Sequence, residues 1–210
     1  MRSISHVKGI RQLKKDNVLV TINYIPYEDS FIRRYYAGII RENYILFLSK
    51  ERNRREEYRF DKEYKVLSVL VDGVSVKGNI SLSFMDKLRN AKGNIWLIEF
   101  EIKDKESIVK LASTDKLSSM ITRAFYRFIT KLDLFKDNVS FISSIQESID
   151  DIRIYFLFFE NEPTFYNQGK KEYSYRKGRI DLKILQEFKA DLLKGISRLS
   201  YKEAYKSKLL

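Results

Sequence analysis

The chain has 210 residues, of which 44% are hydrophobic, and its 40 basic and 28 acidic side chains give a formal net charge of +12. This length and apolar content suffice for a packed core, so the composition excludes a disordered chain. The absence of cysteine excludes disulfides and thiolate metal sites, and the single histidine excludes a histidine-rich metal site.

The sequence has no segment that predicts a membrane span or a secretory signal. The longest apolar run is IYFLFF at residues 154–159, far short of the roughly 18 residues that a membrane span needs. The first 15 residues lack the apolar stretch of a signal peptide. We therefore expect a cytoplasmic protein with no integral membrane segment.

From residue 18 to about residue 127 the pattern is typical of β-structure, with short β-branched and aromatic runs between polar breaks. The predicted strands are residues 18–25, 32–40, 43–49, 64–71, 74–84, 95–102, 107–113 and 122–130. Asp72 and Gly73 join two of these runs, and an Asp-Gly pair between alternating runs predicts a tight hairpin.

After residue 130 the pattern changes. Asp133 is a suitable cap for a helix through residues 134–149, where apolar residues recur at helical spacing. Residues 152–159 are compatible with a buried strand or a buried helix. Residues 161–179 are predicted as a loop, and a basic helix is predicted from Asp181 onward. Its apolar stripe consists of Leu185, Phe188, Leu192, Ile196 and Leu199.

These elements predict an α+β fold: an antiparallel β-barrel or sandwich, then a short helix, then a basic, mainly helical C-terminal extension. The predicted organisation is an N-terminal β-hairpin extension at residues 1–50, the barrel with its closing helix at residues 51–149, and the extension at residues 150–210.

One short segment concentrates arginine. ERNRREEYRF at residues 51–60 contains Arg52, Arg54, Arg55 and Arg59, of which Arg55 and Arg59 form an R-x-x-x-R pattern. Twenty residues after Arg59 comes Asn79-Ile-Ser81-Leu-Ser-Phe84. Over about residues 51–149 this pattern resembles the PilZ domain family, whose signature is R-x-x-x-R followed by [DN]-x-S-x-x-G. Phe84 stands where the family has glycine.

The resemblance implies a bacterial receptor or adaptor for cyclic di-GMP that regulates a motility or secretion component. It implies ligand contacts from Arg54, Arg55, Arg59, Asn79, Ser81 and Phe84. Arginine suits this ligand because its planar guanidinium forms paired hydrogen bonds with phosphate oxygens and with the O6 and N7 atoms of guanine. The Phe84 ring would stack on a guanine or block the site, and a domain that no longer binds the nucleotide stays an alternative.

The charge distribution supports a second hypothesis. Residues 1–60 carry 13 basic and 7 acidic side chains and residues 151–210 carry 13 and 8, whereas residues 61–150 carry 14 and 13. Two basic ends predict a nucleic-acid-binding protein, and KKEYSYRKGR at residues 170–179 interleaves aromatic rings with cations. The alternatives for this region are a solvated linker and a helix that docks on an acidic partner or a membrane surface.

No residue pattern predicts catalysis. The sequence has no phosphate-binding glycine loop and no carboxylate pair with a partnering histidine, so we expect no enzyme, no cofactor and no metal. Glu99 and Glu101 alternate with apolar residues and are predicted to lie on an exposed strand face.

Overall fold

The structure is a computed structural model, and it describes residues 8–15, 18–25, 65–76, 81–103, 114–147, 151–176 and 178–206. The described strands are β1 Lys8–Lys15, β2 Val18–Ile25, β3 Lys65–Val71, β4 Val74–Ser75, β5 Ile95–Ile102, β6 Val139–Glu147, β7 Ile152–Glu160, β8 Phe165–Asn167 and β9 Glu172–Ser174. The described helices are α1 Leu82–Asn90, α2 Thr114–Lys131 and α3 Leu182–Lys206, with a 3₁₀ turn at Lys136–Asn138.

Seven strands form one antiparallel sheet in the order β1-β2-β5-β7-β6-β3-β4, and β8 and β9 form a separate hairpin. β5 and β7 pair over their whole length, from Ile95 opposite Phe159 to Ile102 opposite Ile152. The sheet takes strands from all three segments predicted above. Within the described ranges β1 and β4 are its two edges, so these strands do not close into the predicted barrel.

The central strand β7 is apolar from Ile154 to Phe159 because both faces of the sheet are covered there. All nine of its residues are buried. One face packs against α2 and α3, through side chains that include Phe100, Phe125 and Phe188. The other face packs against α1, through Phe84 and Leu88. The molecule therefore has α1 on one side of the sheet and the α2–α3 pair on the other.

The strand prediction for residues 74–84 is wrong at residues 82–84, which belong to helix α1. Ser81 immediately precedes this helix, and its Oγ accepts a hydrogen bond of 3.3 Å from the backbone N–H of Phe84. This is the geometry of a helix N-cap, and it starts α1. Phe84, Met85 and Leu88 then fall on one buried helical face.

Two further predictions assign the wrong type of secondary structure. Residues 122–130 belong to α2, whose buried residues Leu117, Ile121, Phe125 and Phe128 follow helical spacing. The predicted helix over residues 134–149 contains strand β6 instead. Its serines and Gln146 are buried because β6 is covered on both faces, and they obscure the alternation of apolar residues.

Other predictions are confirmed. Residues 18–25 and 95–102 are strands, and α3 begins at Leu182 with a buried stripe from Leu185 to Ile196. Residues 152–159, for which the sequence allowed a strand or a helix, form a strand. Asp72 and Gly73 both have positive φ, as a two-residue hairpin turn requires. The loop prediction for residues 161–179 is wrong at Phe165–Asn167 and Glu172–Ser174, which form the β8–β9 hairpin. The predicted strands 32–40, 43–49 and 107–113 lie outside the described residues.

No helix in the part of the chain that the structure describes is long and apolar enough to cross a membrane.

Candidate functional site

The residues implied by the PilZ resemblance are only partly described. Arg54, Arg55, Arg59 and Asn79 lie outside the described residues. Ser81 is exposed at the start of α1, where its Oγ caps the helix. Phe84 is 2% exposed and its ring lies 5.9 Å from that of Phe159, so in this conformation it faces the core and not a ligand.

A buried polar cluster lies on the α1 side of the sheet, around Arg153. The guanidinium of Arg153 has no exposed surface and lies 3.1 Å from Asp151, 3.2 Å from Glu101 and 3.4 Å from Glu99. The side chains of Glu99 and Glu101 are 23% and 16% exposed. The prediction of an exposed glutamate face is therefore wrong, because β7 brings an arginine directly opposite Glu101.

This cluster is a network of ion pairs that links β5 to β7 and the residue before it. A buried carboxylate needs a paired charge, and Arg153 contacts all three of these carboxylates. Within the described ranges, no group of three or more histidine, aspartate or glutamate residues could hold a metal ion. The cluster also withdraws three acidic groups from the surface, which leaves the rest of the molecule more basic.

The opposite side of the molecule is formed by α2 and α3, which run antiparallel. Lys131 Nζ lies 2.8 Å from Glu187 Oε2, and Arg127 Nη1 lies 3.9 Å from Asp191 Oδ1. Nearer the other end, Gly195 packs so closely on Met120 that a Cβ there would overlap its side chain. This register places Arg123 of α2 level with Lys194 of α3.

The outward side of these helices is strongly basic, and we call it the helical basic surface. It comprises the exposed side chains of Lys116, Arg123, Arg127, Lys131, Lys183, Lys194 and Arg198. Together α2 and α3 contain ten basic and four acidic residues. The surface therefore presents a positive field over about the length of α2.

Some of these cations are neutralised and others are not. The hydrogen bond and charge of Lys131 lower the pKa of Glu187, so that ion pair is maintained at neutral pH. Arg123 donates a hydrogen bond to Ser119 Oγ. Among the described residues, no carboxylate lies within ion-pair distance of Arg123, Lys194 or Arg198. These three residues are the unneutralised centre of the helical basic surface.

Aromatic rings are exposed beside one end of this surface. Phe165, Tyr166 and Tyr173 of the β8–β9 hairpin are 62%, 49% and 64% exposed. The guanidinium of Arg176, which follows β9, donates a hydrogen bond to the carbonyl of Leu132 just after α2. The hairpin therefore adjoins the end of the helix pair at which α2 finishes and α3 begins.

Part of this site can be predicted from the sequence. Arg123 and Arg127 form a second R-x-x-x-R pattern, but residues 122–130 were predicted as a strand and not as a helix. On a helix, residues four apart lie on the same face, one turn from each other. Lys194 and Arg198 have the same spacing on α3.

No family model, curated protein or solved structure matches the chain.

Proposed function

We propose that this protein binds nucleic acid through the helical basic surface. The observation that carries the proposal is the group formed by Arg123, Lys194 and Arg198. All three are exposed and lie on two antiparallel helices, with no carboxylate within ion-pair distance in the described part of the chain. A surface that keeps unneutralised cations close together has a field that attracts a polyanion.

The spacing of the cations suits a chain of phosphates. Arg123 and Arg127 are one helical turn apart on α2, and Lys194 and Arg198 are one turn apart on α3. Side chains at this spacing are about 5–6 Å apart at their Cβ atoms. A double row of such cations can contact successive phosphates of a strand, and each contact releases a condensed counterion.

The distribution of acidic groups supports the same proposal. Asp151, Glu99 and Glu101 are drawn to Arg153 on the far side of the sheet, away from α2 and α3. These three carboxylates therefore do not oppose a nucleic acid that approaches the helices. The proposal is for a binding protein, located in the cytoplasm, without catalytic chemistry.

Neutralising the centre of the surface tests the proposal. We expect the triple variant Arg123→Ala, Lys194→Ala, Arg198→Ala to bind a labelled oligonucleotide on the order of 10-fold or more weakly at about 100 mM salt. The measurement is fluorescence anisotropy with the full chain, and circular dichroism verifies that each variant is folded.

A matched control removes the same charge from the other side of the sheet. Lys87, Arg89 and Lys92 are exposed on or just after α1. Their triple replacement by alanine should leave the affinity within about 2-fold, since distant exposed charges are screened at this ionic strength. Equal losses in the two triple variants would mean that only net charge matters and would contradict an interface on α2 and α3.

A receptor for cyclic di-GMP, acting on a motility or secretion component, is the second candidate. Besides the arginine motif, one structural observation favours it: Ser81 is exposed at the N-terminus of α1, which has no acidic residue in its first turn. Helix N-termini attract phosphate because their N–H groups and dipole favour negative charge.

Calorimetry with cyclic di-GMP, and GMP as control, tests this candidate. It predicts micromolar or tighter binding that is abolished in Arg55→Ala, Arg59→Ala. No heat of binding, or an unchanged affinity in the double variant, would exclude these arginines as the receptor site.

A further inference from the structure

The β8–β9 hairpin exposes aromatic rings in an ordered pair. Tyr166 and Tyr173 lie directly opposite each other in the register, and their ring centroids are 5.2 Å apart. The neighbouring Phe165 points to the other face of the hairpin, because successive side chains of a strand alternate. Rings of this size are normally buried in a core or an interface, so their exposure requires an explanation.

One buried carboxylate accepts hydrogen bonds from both arms of the hairpin. Glu160 Oε1 accepts a hydrogen bond of 2.9 Å from Thr164 Oγ1 before β8, and Oε2 accepts one of 2.7 Å from the backbone N–H of Arg176 after β9. Burial raises the pKa of Glu160, although these hydrogen bonds and the Arg176 charge act in the opposite direction. The carboxylate therefore fixes the two arms of the hairpin relative to the sheet.

The tip of the hairpin is also structured. Asn167 Oδ1 accepts hydrogen bonds from the backbone N–H groups of Gly169 and Lys170, at 3.1 and 3.3 Å. Lys170 and Lys171 are exposed there. A fixed hairpin thus presents two exposed tyrosine rings together with the lysines of its own tip.

We infer that this hairpin is a base-stacking platform, which makes the protein select single-stranded nucleic acid over a duplex. The inference rests on the proposed nucleic-acid binding. Bases in a duplex are stacked on each other and are not available to a side chain. Bases of a single strand can stack on tyrosine while the basic surface contacts their phosphates.

The experiment compares three probes on the full chain: a single-stranded oligonucleotide, the duplex of the same sequence, and heparin, a polyanion without bases. Two double variants are compared with the natural sequence. Tyr166→Leu, Tyr173→Leu keeps apolar bulk but removes both rings, and Tyr166→Phe, Tyr173→Phe keeps the rings.

We expect the natural protein to bind the single strand at least 10-fold more tightly than the duplex. The leucine variant should lose about 10- to 100-fold affinity for the single strand and less than about 2-fold for heparin. The phenylalanine variant should retain single-strand binding, because a phenylalanine ring also stacks.

The possible failures are distinguishable. Equal binding of single strand and duplex, with no effect of leucine, would overturn the platform while leaving the nucleic-acid proposal intact. Binding to none of the three probes would overturn both. A loss for heparin as large as that for the single strand would show that the tyrosines act on charge or on folding, and would also overturn the platform.

Discussion

Replacement of Arg153 by methionine is expected to lower the free energy of unfolding by about 3–5 kcal/mol. Methionine fills much of the same volume but removes the guanidinium that contacts Asp151, Glu99 and Glu101. Carboxylates that are withdrawn from water without a partner charge are costly, and here they also repel one another. Urea denaturation of the full chain measures the loss.

Arg89→Met is the matched control for this substitution. Arg89 is exposed on α1 and lies 3.3 Å from Asp86, so it also has a carboxylate neighbour. An exposed ion pair contributes about 0–1 kcal/mol. If the two variants had the same stability, Arg153 would not be the charge that holds the polar cluster together.

Phe125→Ala is expected to lower the free energy of unfolding by about 3–5 kcal/mol as well, through loss of packing. The ring is fully buried between the sheet and α3. It stacks on Phe156 at a centroid distance of 5.1 Å and lies 4.3 Å from Phe141. Alanine would leave a cavity at the point where α2 meets β6 and β7, and the surrounding rings cannot fill it without leaving their own contacts.

The control for Phe125 is the exposed Phe135, which is 69% exposed just after α2. Phe135→Ala should change the stability by no more than about 0.5 kcal/mol. Urea denaturation of both variants, with unchanged m-values, separates a packing loss from a change in the unfolded state. A loss below about 1 kcal/mol for Phe125→Ala would contradict the packing of α2 against the sheet.

The sequence correctly predicts the elements whose local residue pattern matches the burial of those residues in the fold. Asp72-Gly73 forms a hairpin because both residues adopt positive φ, and α3 follows a regular apolar stripe. The signal fails at β6, which is covered on both faces. Its buried Ser140, Ser144 and Gln146 look like the polar face of a helix when only the sequence is read.

The sequence predicts that the candidate site is basic, but it does not predict which side chains form its surface. A net charge of +12 and the cations of residues 170–210 indicate a polyanion as partner. Which cations remain unneutralised depends on tertiary contacts: Lys131 is paired with Glu187, whereas Lys194 is not paired among the described residues. The burial of Glu99 and Glu101 depends in the same way on Arg153, which lies 52 residues from Glu101 in the chain.

The position of the aromatic pair also follows from long-range contacts. The sequence shows tyrosines among lysines at residues 170–179, but it does not show that Tyr166 and Tyr173 lie opposite each other. Glu160 accepts a hydrogen bond from each arm of the hairpin, and nothing local in the sequence marks that residue as an anchor.

The most direct test of nucleic-acid binding at α2 and α3 is the salt dependence of the affinity for a single-stranded oligonucleotide. It is measured between about 50 and 200 mM salt on the natural protein and on the Arg123→Ala, Lys194→Ala, Arg198→Ala variant. We predict steep weakening with salt for the natural protein, and a slope of log affinity against log salt that is smaller by about 2 in the variant. No binding at low salt, or the same slope in both proteins, would contradict the proposed interface.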